Sequence, residues 1–596
     1  MWNKAELYQA LAAEPGPLLG PELARFAAEP LGPWRAAQIE ALRRRAKEYL
    51  DTPLPPLPYS LFCLYWKTGD RAAFQTPYFE RRGRLLVFSL LVWLEPQDPA
   101  WPAWKTALED TLWAVCAEPF WCVPAHFLAP DDAPLPFEQY ETQLDLFACE
   151  TAFALAEVLA LCRGQLDPMV VRQAEAQVER RAFAPFLDGG RFFRFEGMAN
   201  NWSAVCAGAI GGAALHLMAD RARLAGLLHR CLSALDVYLG SFGEDGVSVE
   251  GVDYWSYGFG FFACFADLLA KRTAGALDLM ALPKVQAIAQ SQQYYHLAGG
   301  RTISFADGSG QSGFRMGLSC WLQNRFADAA LPDAASADGL LKDGCYRYCL
   351  ALRDLLWYRP GARFGLPAAR SAFLPNAQWL VSCTPGLALA AKAGHNGESH
   401  NHNDCGSFIL CKNGQPLLCD LGAGRYDAAY FGPDRYEIFI NASRSHNLAL
   451  PGGCQQAFGP QYACRDVQAE LCDEQDTLRM QLAGCYPCPD LVSYARAFTH
   501  NKAAGQLLLE DVLEFAQPQP VTEVFVSQTP IRLVPGGAVF ARQGVSLTLR
   551  FDPAQFSAAL HQQQYPPHED GPDRTAYLLH LDAAPALRHV CRFTLL

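Results

Sequence analysis

The rhythm of apolar and polar positions changes near residue 375. Before it, apolar residues recur at i, i+3 and i+4 in Ala37–Tyr49, Gln143–Cys162, Val205–Met218, Arg221–Gly240 and Phe259–Leu269. That period places them on one face of a helix. Pro- and Gly-rich stretches separate the segments at Asp51–Pro58, Glu95–Pro102, Ala129–Pro136, Phe186–Gly190 and Gly299–Arg301. No repeat of fixed period is present. Helices alternating with short loops still predict antiparallel helix pairs, as in an α/α toroid or solenoid. From Gln378 onward the apolar runs are short and β-rich: Trp379–Cys383, Ser407–Cys411, Ala469–Leu471, Thr477–Leu482, Gln506–Phe515, Val521–Val526, Ile531–Phe540, Ser546–Phe551, Thr575–Leu581 and Arg588–Leu595. Turn residues separate many of them at the spacing of an antiparallel sandwich. The chain is therefore expected to hold a helical domain over 1–370 and an all-β domain over 376–596, with a linker in Pro360–Pro375.

Composition narrows the picture. At 596 residues, 51% hydrophobic and 12% aromatic, the chain is long enough for two or three well-filled cores. A formal charge of −12 argues against nucleic-acid binding and leaves an anionic substrate possible only with a local basic lining. No uncharged apolar run has the length of a membrane span, and Leu85–Leu94 reads as a core segment. The 21 Cys are scattered, often inside apolar runs, and the one CxxC (Cys485–Cys488) lacks a second half. With an N-terminus that carries no basic and apolar leader pattern, they point to reduced thiols and a cytoplasmic location.

The densest chemistry lies in His395–Asp420, HNGESHNHNDCGSFILCKNGQPLLCD. An apolar run follows the histidines, and Asn413-Gly414 then marks a hairpin turn. On extended backbone His400 and His402, two apart, would project to one face. With Asp420 and His446 of Ser443-Arg-Ser-His446-Asn, His402 makes a His/Asp/His set suited to Zn²⁺. The helical half adds three clusters. Asn200-Asn201-Trp202-Ser203 opens a helix, where Asn200 fits either an N-cap or a sugar site beside a stacking Trp202. In Glu244–Gly258, Glu250, Tyr254 and Tyr257 share one helical face. Asp307–Gly313 is Gly-rich but has no phosphate-loop Lys, and reads as a loop lining a cleft.

Taken together, SHNHNDCGSFIL, NGQPLLCDLGAGRY and SRSHN resemble the heparinase II/III-like polysaccharide lyases. The NNW and EGVDYWSYG segments are similar to that family's toroid motifs, so the likeness spans roughly residues 190 to 450. The resemblance implies an incomplete (α/α) toroid followed by an antiparallel β-sandwich. It implies β-elimination on uronic-acid-containing glycans of glycosaminoglycan type, as polymer or oligosaccharide. Such a reaction must neutralise the uronate carboxylate, remove the C5 proton and protonate the departing O4. The resemblance makes Asn201 the carboxylate neutraliser, Tyr254 the catalytic tyrosine with Tyr257 nearby, and His400 the catalytic histidine. It makes His402, Asp420 and His446 the ligands of a structural zinc that sets the pose of His400. Glu250 then orients Tyr254 or binds sugar, and His395 and Asp404 support the site.

One departure stands out: many members carry His after the paired Asn, whereas this chain has Trp202, which cannot titrate. Arg194, Arg301, Arg315, Arg425, Arg435 and Arg444 lie near these motifs and are suited to carboxylate and sulfate. Asn200, Trp202, Glu250, Tyr257, His395, Arg425 and Arg444 are the expected substrate-binding residues. The Lys67–Glu80 segment is a candidate to close one end of the cleft. Two other functions fit the residues: a hydrolase using Asp245, Glu250 or Asp307, and a glycan-binding protein without turnover.

Overall fold

The computed structural model describes residues 2–13, 16–127, 137–427, 429–568 and 571–596. The Pro-rich break expected at Ala129–Pro136 lies outside the described residues. The first half is helical up to the helix Tyr348–Trp357, and strands begin at Arg370–Leu374. The helices expected from periodicity form with small shifts of end: Gly32–Leu50, Leu146–Cys162, Asn201–Leu217, Arg221–Gly240 and Val252–Arg272. Asn201–Leu217 is central. It packs on Leu146–Cys162, Arg221–Gly240 and Val252–Arg272 and is buried nearly all round. Its glycines make that possible: a Cβ on Gly212 would lie 2.5 Å from the ring of Phe153. Leu85–Val92, inside the helix Ala72–Leu94, is wholly buried, as its length suggested. No helix among the described residues is long and apolar enough to cross a membrane.

The second half contains two main antiparallel sheets. One runs in the order Arg370–Leu374, Trp379–Cys383, Leu387–Lys392, Phe408–Lys412, Gln415–Leu418. Its two faces serve different cores. Leu380, Leu389, Phe408 and Leu410 meet Phe498, Leu509, Leu513 and Phe525 of the larger sheet. Trp379, Val381, Ala388, Ala390, Ile409 and Cys411 join the helical core. Burial on both faces removes the polar/apolar alternation that marks a strand. Trp379–Cys383 and Phe408–Lys412 still read as strands from their β-branched and aromatic residues, whereas Leu387–Lys392, LALAAK, has none and is not among the strands expected from the sequence. Arg370–Leu374 falls in the stretch expected to be linker, where it pairs with Trp379–Cys383.

The larger sheet has ten strands built around Gln506–Ser527 and Arg574–Leu595. Each covers two runs expected as separate strands. Pro518 and Pro520 lie where the pairing between them slips, between Glu514 and Val521, so the chain bends without ending the strand. Ile531–Phe540, expected as one strand, instead divides at a turn into Ile531–Val534 and Gly537–Arg542.

Arg496 ties this sheet to the loops above it. It is fully buried, bonds Asp511 through Nε (2.8 Å) and Nη2 (2.6 Å), and donates from Nη1 to the carbonyls of Gly406 and Asn447, both at 2.8 Å. Arg496→Ala leaves Asp511 buried without its cation, so a loss of about 3–5 kcal/mol is expected in denaturant unfolding.

Candidate functional site

A cleft of about 3500 Å³ is lined by both halves of the chain. On the helical side, Asn200 caps the helix Asn201–Leu217: its Oδ1 accepts the Trp202 N–H at 3.0 Å. The capping reading of Asn200 is thus correct, and the residue also borders the cleft. Asn201, one residue on, is buried with its Oδ1 free of any hydrogen-bond partner. Gly258 lets the neighbouring helix approach, since a Cβ there would lie 3.1 Å from the Asn201 Cβ. One turn before Gly258, Tyr254 enters the cleft.

The β-half supplies His400 from an irregular segment rather than a strand. His400 has φ +55°, a left-handed conformation costly for a residue with a Cβ and frequent at functional sites. The expectation that His400 and His402 project together from extended backbone is therefore corrected. Their rings converge because both bond the same carboxylate. Asp307 accepts from His400 Nδ1 at 2.6 Å and His402 Nε2 at 3.0 Å. It also accepts from Tyr426 at 2.8 Å, from Arg435 at 3.1 and 3.2 Å, and from Tyr430. Burial pushes the Asp307 carboxyl up, but the bonds from His400 and His402 and the nearby positive charge outweigh it and hold it well below the usual carboxylate range. An ionised carboxylate only accepts, so His400 carries its proton on Nδ1 and His402 on Nε2.

Tyr254 completes the group. Its ring stacks on His400 with centroids 4.3 Å apart, and its Oη lies 3.3 Å from His400 Nδ1 and 2.7 Å from Tyr426 Oη. Tyr426 gives its proton to Asp307, so it accepts from Tyr254. Burial, and then the charge of Asp307, push the Tyr254 phenol well above its usual range, so at neutral pH it is a proton donor. The site is a chain of groups crossing from one half to the other through Asp307.

His402, Asp420 and His446 also come together, each offering a ligand atom within 4.8 Å of the others. His446 Nδ1 bonds Asp420 Oδ2 at 2.9 Å. His402 Nδ1 and His446 Nε2 are buried with no hydrogen-bond partner. Two buried bare imidazole nitrogens beside a carboxylate fit a divalent metal. The bond from His402 Nε2 to Asp307 is the outer support such ligands usually have.

The other expected residues divide. Trp202, Tyr257, Arg194, Arg301 and Arg425 line the cleft. Tyr257 is engaged there, donating to Glu150 with Arg347 over its ring at 3.8 Å. Glu250 is buried with Oε1 unpartnered and is not bonded to Tyr254. Burial pushes it up, against the charge of His400 and a bond from Ser399. His395 and Arg444 lie away from the cleft lining: the His395 Nδ1 accepts the Gly397 N–H, and Arg444 donates to the Glu437 carbonyl. Asp404 is buried against Lys392 at 2.7 Å. Arg315 is spent on Asp343 and Asp354, and Arg435 on Asp307.

Of the carboxylates proposed for a hydrolase, Asp245 accepts backbone N–H groups of Val247, Asn376 and Ala377, and Asp307 is fully occupied. Sequence reasoning missed Tyr426 and Tyr430, and read Arg435 as a candidate for substrate anions rather than as a partner of Asp307. The available signal was the aromatic and Arg-rich run GRYDAAYFGPDRY between Asp420 and His446. It also read Asp307 only as part of a cleft loop or as a hydrolytic acid.

Residues 367–578 match the family model described as Heparinase II/III-like, C-terminal. The match lies within the β-half. Solved structures with a similar fold extend the likeness across the helical half. A heparan sulfate lyase HepC mutant from Pedobacter heparinus is 12% identical, with 99% of this chain and 87% of that one covered and a TM-score of 0.63. A heparinase III is 13% identical over 88% of this chain and 77% of that one, with a TM-score of 0.63. A Streptomyces coelicolor A3 chondroitin AC lyase in complex with chondroitin sulphate is 12% identical over 100% and 82%, with a TM-score of 0.55. No curated protein sequence matches the chain. The matched segment carries His400, His402, Asp420 and His446. Asn201, Tyr254 and Asp307 come from the helical half, which the family model does not cover. The expected toroid-plus-sandwich architecture is the fold these structures share with this chain.

Proposed function

We propose that the chain is a polysaccharide lyase that cleaves uronate-containing glycosaminoglycan-type chains or oligosaccharides by β-elimination, leaving a 4,5-unsaturated uronate end. The observation that carries this reading is the Tyr254–His400 pair, one residue from each half, stacked at 4.3 Å in the cleft that Asn201 also lines. Asn201 lines the cleft, and its side-chain Nδ2 can donate to the uronate carboxylate and lower the cost of charge developing at C5. His400, protonated on Nδ1 toward Asp307, has Nε2 left as the basic atom for the C5 proton. Tyr254, held as the phenol, gives its proton to O4 as the glycosidic bond breaks. Trp202 has no part in proton transfer and offers a stacking wall.

His402, Asp420 and His446 would hold a zinc ion whose role is structural, fixing the loop that presents His400. About one zinc per chain is the expected result of elemental analysis of the purified protein. Chelation or His446→Ala should remove it and lower the melting temperature. A protein without bound metal, whose melting is indifferent to chelator, would refute this assignment. The cytoplasmic location expected from the thiols would make imported oligosaccharides the working substrate. The test of the activity is ultraviolet detection of the new double bond with a panel of glycosaminoglycans.

A further inference from the structure

The cleft wall at Thr68–Ala72 holds an ordered cation, Arg71. Asp145 is almost fully buried. It caps the helix Leu146–Cys162 by accepting the Ala148 N–H at 2.7 Å, and its other oxygen lies 2.7 Å from His126 Nδ1. The carboxylate therefore fixes the imidazole with the proton on Nδ1 and the lone pair on Nε2. That Nε2 lies 3.3 Å from Arg71 Nη2, which donates to it. His126 is also clamped sideways, stacked on Phe147 at 5.4 Å and against Trp202 at 4.8 Å.

Arg71 itself pairs with no carboxylate among the described residues. Arg347, another arginine of the cleft lining, pairs with Asp343. Arg71 immediately precedes the long helix Ala72–Leu94, whose N-terminal partial charge has the same sign. It lies over the Phe431 ring at 5.9 Å, and Tyr254 and Tyr426 are near enough to feel its charge. A desolvated guanidinium held by a His–Asp pair, with donors to spare and open cleft before it, is a built receptor for an anion.

We infer that Arg71, set in place by His126 and Asp145, is the clamp for a carboxylate or sulfate of the bound glycan, with Trp202 as the adjoining stacking face. Arg71 touches the ligand; His126 and Asp145 are positioning residues. The inference rests on the lyase reading and adds to it the residues that select an anionic sugar. It also gives the Lys67–Glu80 segment a role, since Thr68–Ala72 forms part of the cleft wall.

The test uses the Tyr254→Phe protein, which should bind without turning over. Heparan sulfate and chondroitin sulfate oligosaccharides are titrated into it by calorimetry, intact, carboxyl-reduced and desulfated. Adding Arg71→Ala should weaken binding of an intact glycan at least about tenfold, and Arg71→Lys should restore part of it. Once the clamped group has been removed from the glycan, the parent and the Arg71→Ala protein should bind it equally, which tells carboxylate from sulfate. In the otherwise native enzyme, His126→Gln and Asp145→Asn should raise KM severalfold with kcat nearly unchanged, a split that general loosening of the fold would not give. Binding within twofold of the parent after Arg71→Ala, with the fold intact, overturns the clamp and leaves the lyase reading standing. A parent that binds neither these nor heparin, hyaluronan or alginate oligosaccharides overturns both.

Discussion

Asp307→Asn is expected to lower turnover by about a thousandfold, with loss at kcat rather than KM. The carboxylate accepts from both His400 and His402 and from Tyr426 and Arg435. An amide nitrogen at one of those positions presents a donor to a donor. His400 then loses the partner that keeps its proton on Nδ1, and Tyr254 loses the acceptor at the far end of its hydrogen-bond chain. The Arg435 cation is also left without its acid, so stability should fall by about 3–5 kcal/mol, as for other broken buried pairs. Steady-state kinetics and thermal unfolding on the same preparation check both effects. Near-native kcat in a folded Asp307→Asn protein would show that the hub has no part in the chemistry.

Tyr254→Phe should be as damaging to turnover, about a thousandfold or more, and almost silent in stability. The hydroxyl bonds only at the cleft surface, to Tyr426 and toward His400, and the ring stacking on His400 is kept. One part-buried hydrogen bond is worth about 1 kcal/mol. The two substitutions thus separate a group that does chemistry from one that also holds the halves together. Unchanged turnover in Tyr254→Phe would hand the acid role to another residue.

Much of this was legible in the sequence, and the failures have physical causes. Helices of the first half were legible from their period even where, as in Asn201–Leu217, nearly the whole surface is buried, and Arg221–Gly240 matches to the residue. The hairpin at Asn413-Gly414 forms as read, with both residues at positive φ, as such turns require. The strand Leu387–Lys392 was invisible because LALAAK has no β-branched or aromatic residue to mark a strand. Two strands were each cut in two at proline-containing stretches that the ladder passes by slipping register. At the site, the His/Asp/His group and the Tyr254–His400 pair assemble as the resemblance implied. Asp307 was undervalued because its partners lie about a hundred residues away, so no local pattern marks it. His126 was not singled out either: its neighbours Arg71, Asp145 and Trp202 are scattered along the chain and meet only in the folded protein.

The most direct test of the account is a time course of ultraviolet absorbance from the conjugated double bond that elimination creates. The purified protein is incubated with heparan sulfate, heparin, chondroitin sulfate, hyaluronan and alginate, as polymers and as oligosaccharides, beside Tyr254→Phe and His400→Ala. The account predicts a rise with at least one glycosaminoglycan that both substitutions abolish. New reducing ends without that absorbance, or a rise that survives in both variants, would contradict it.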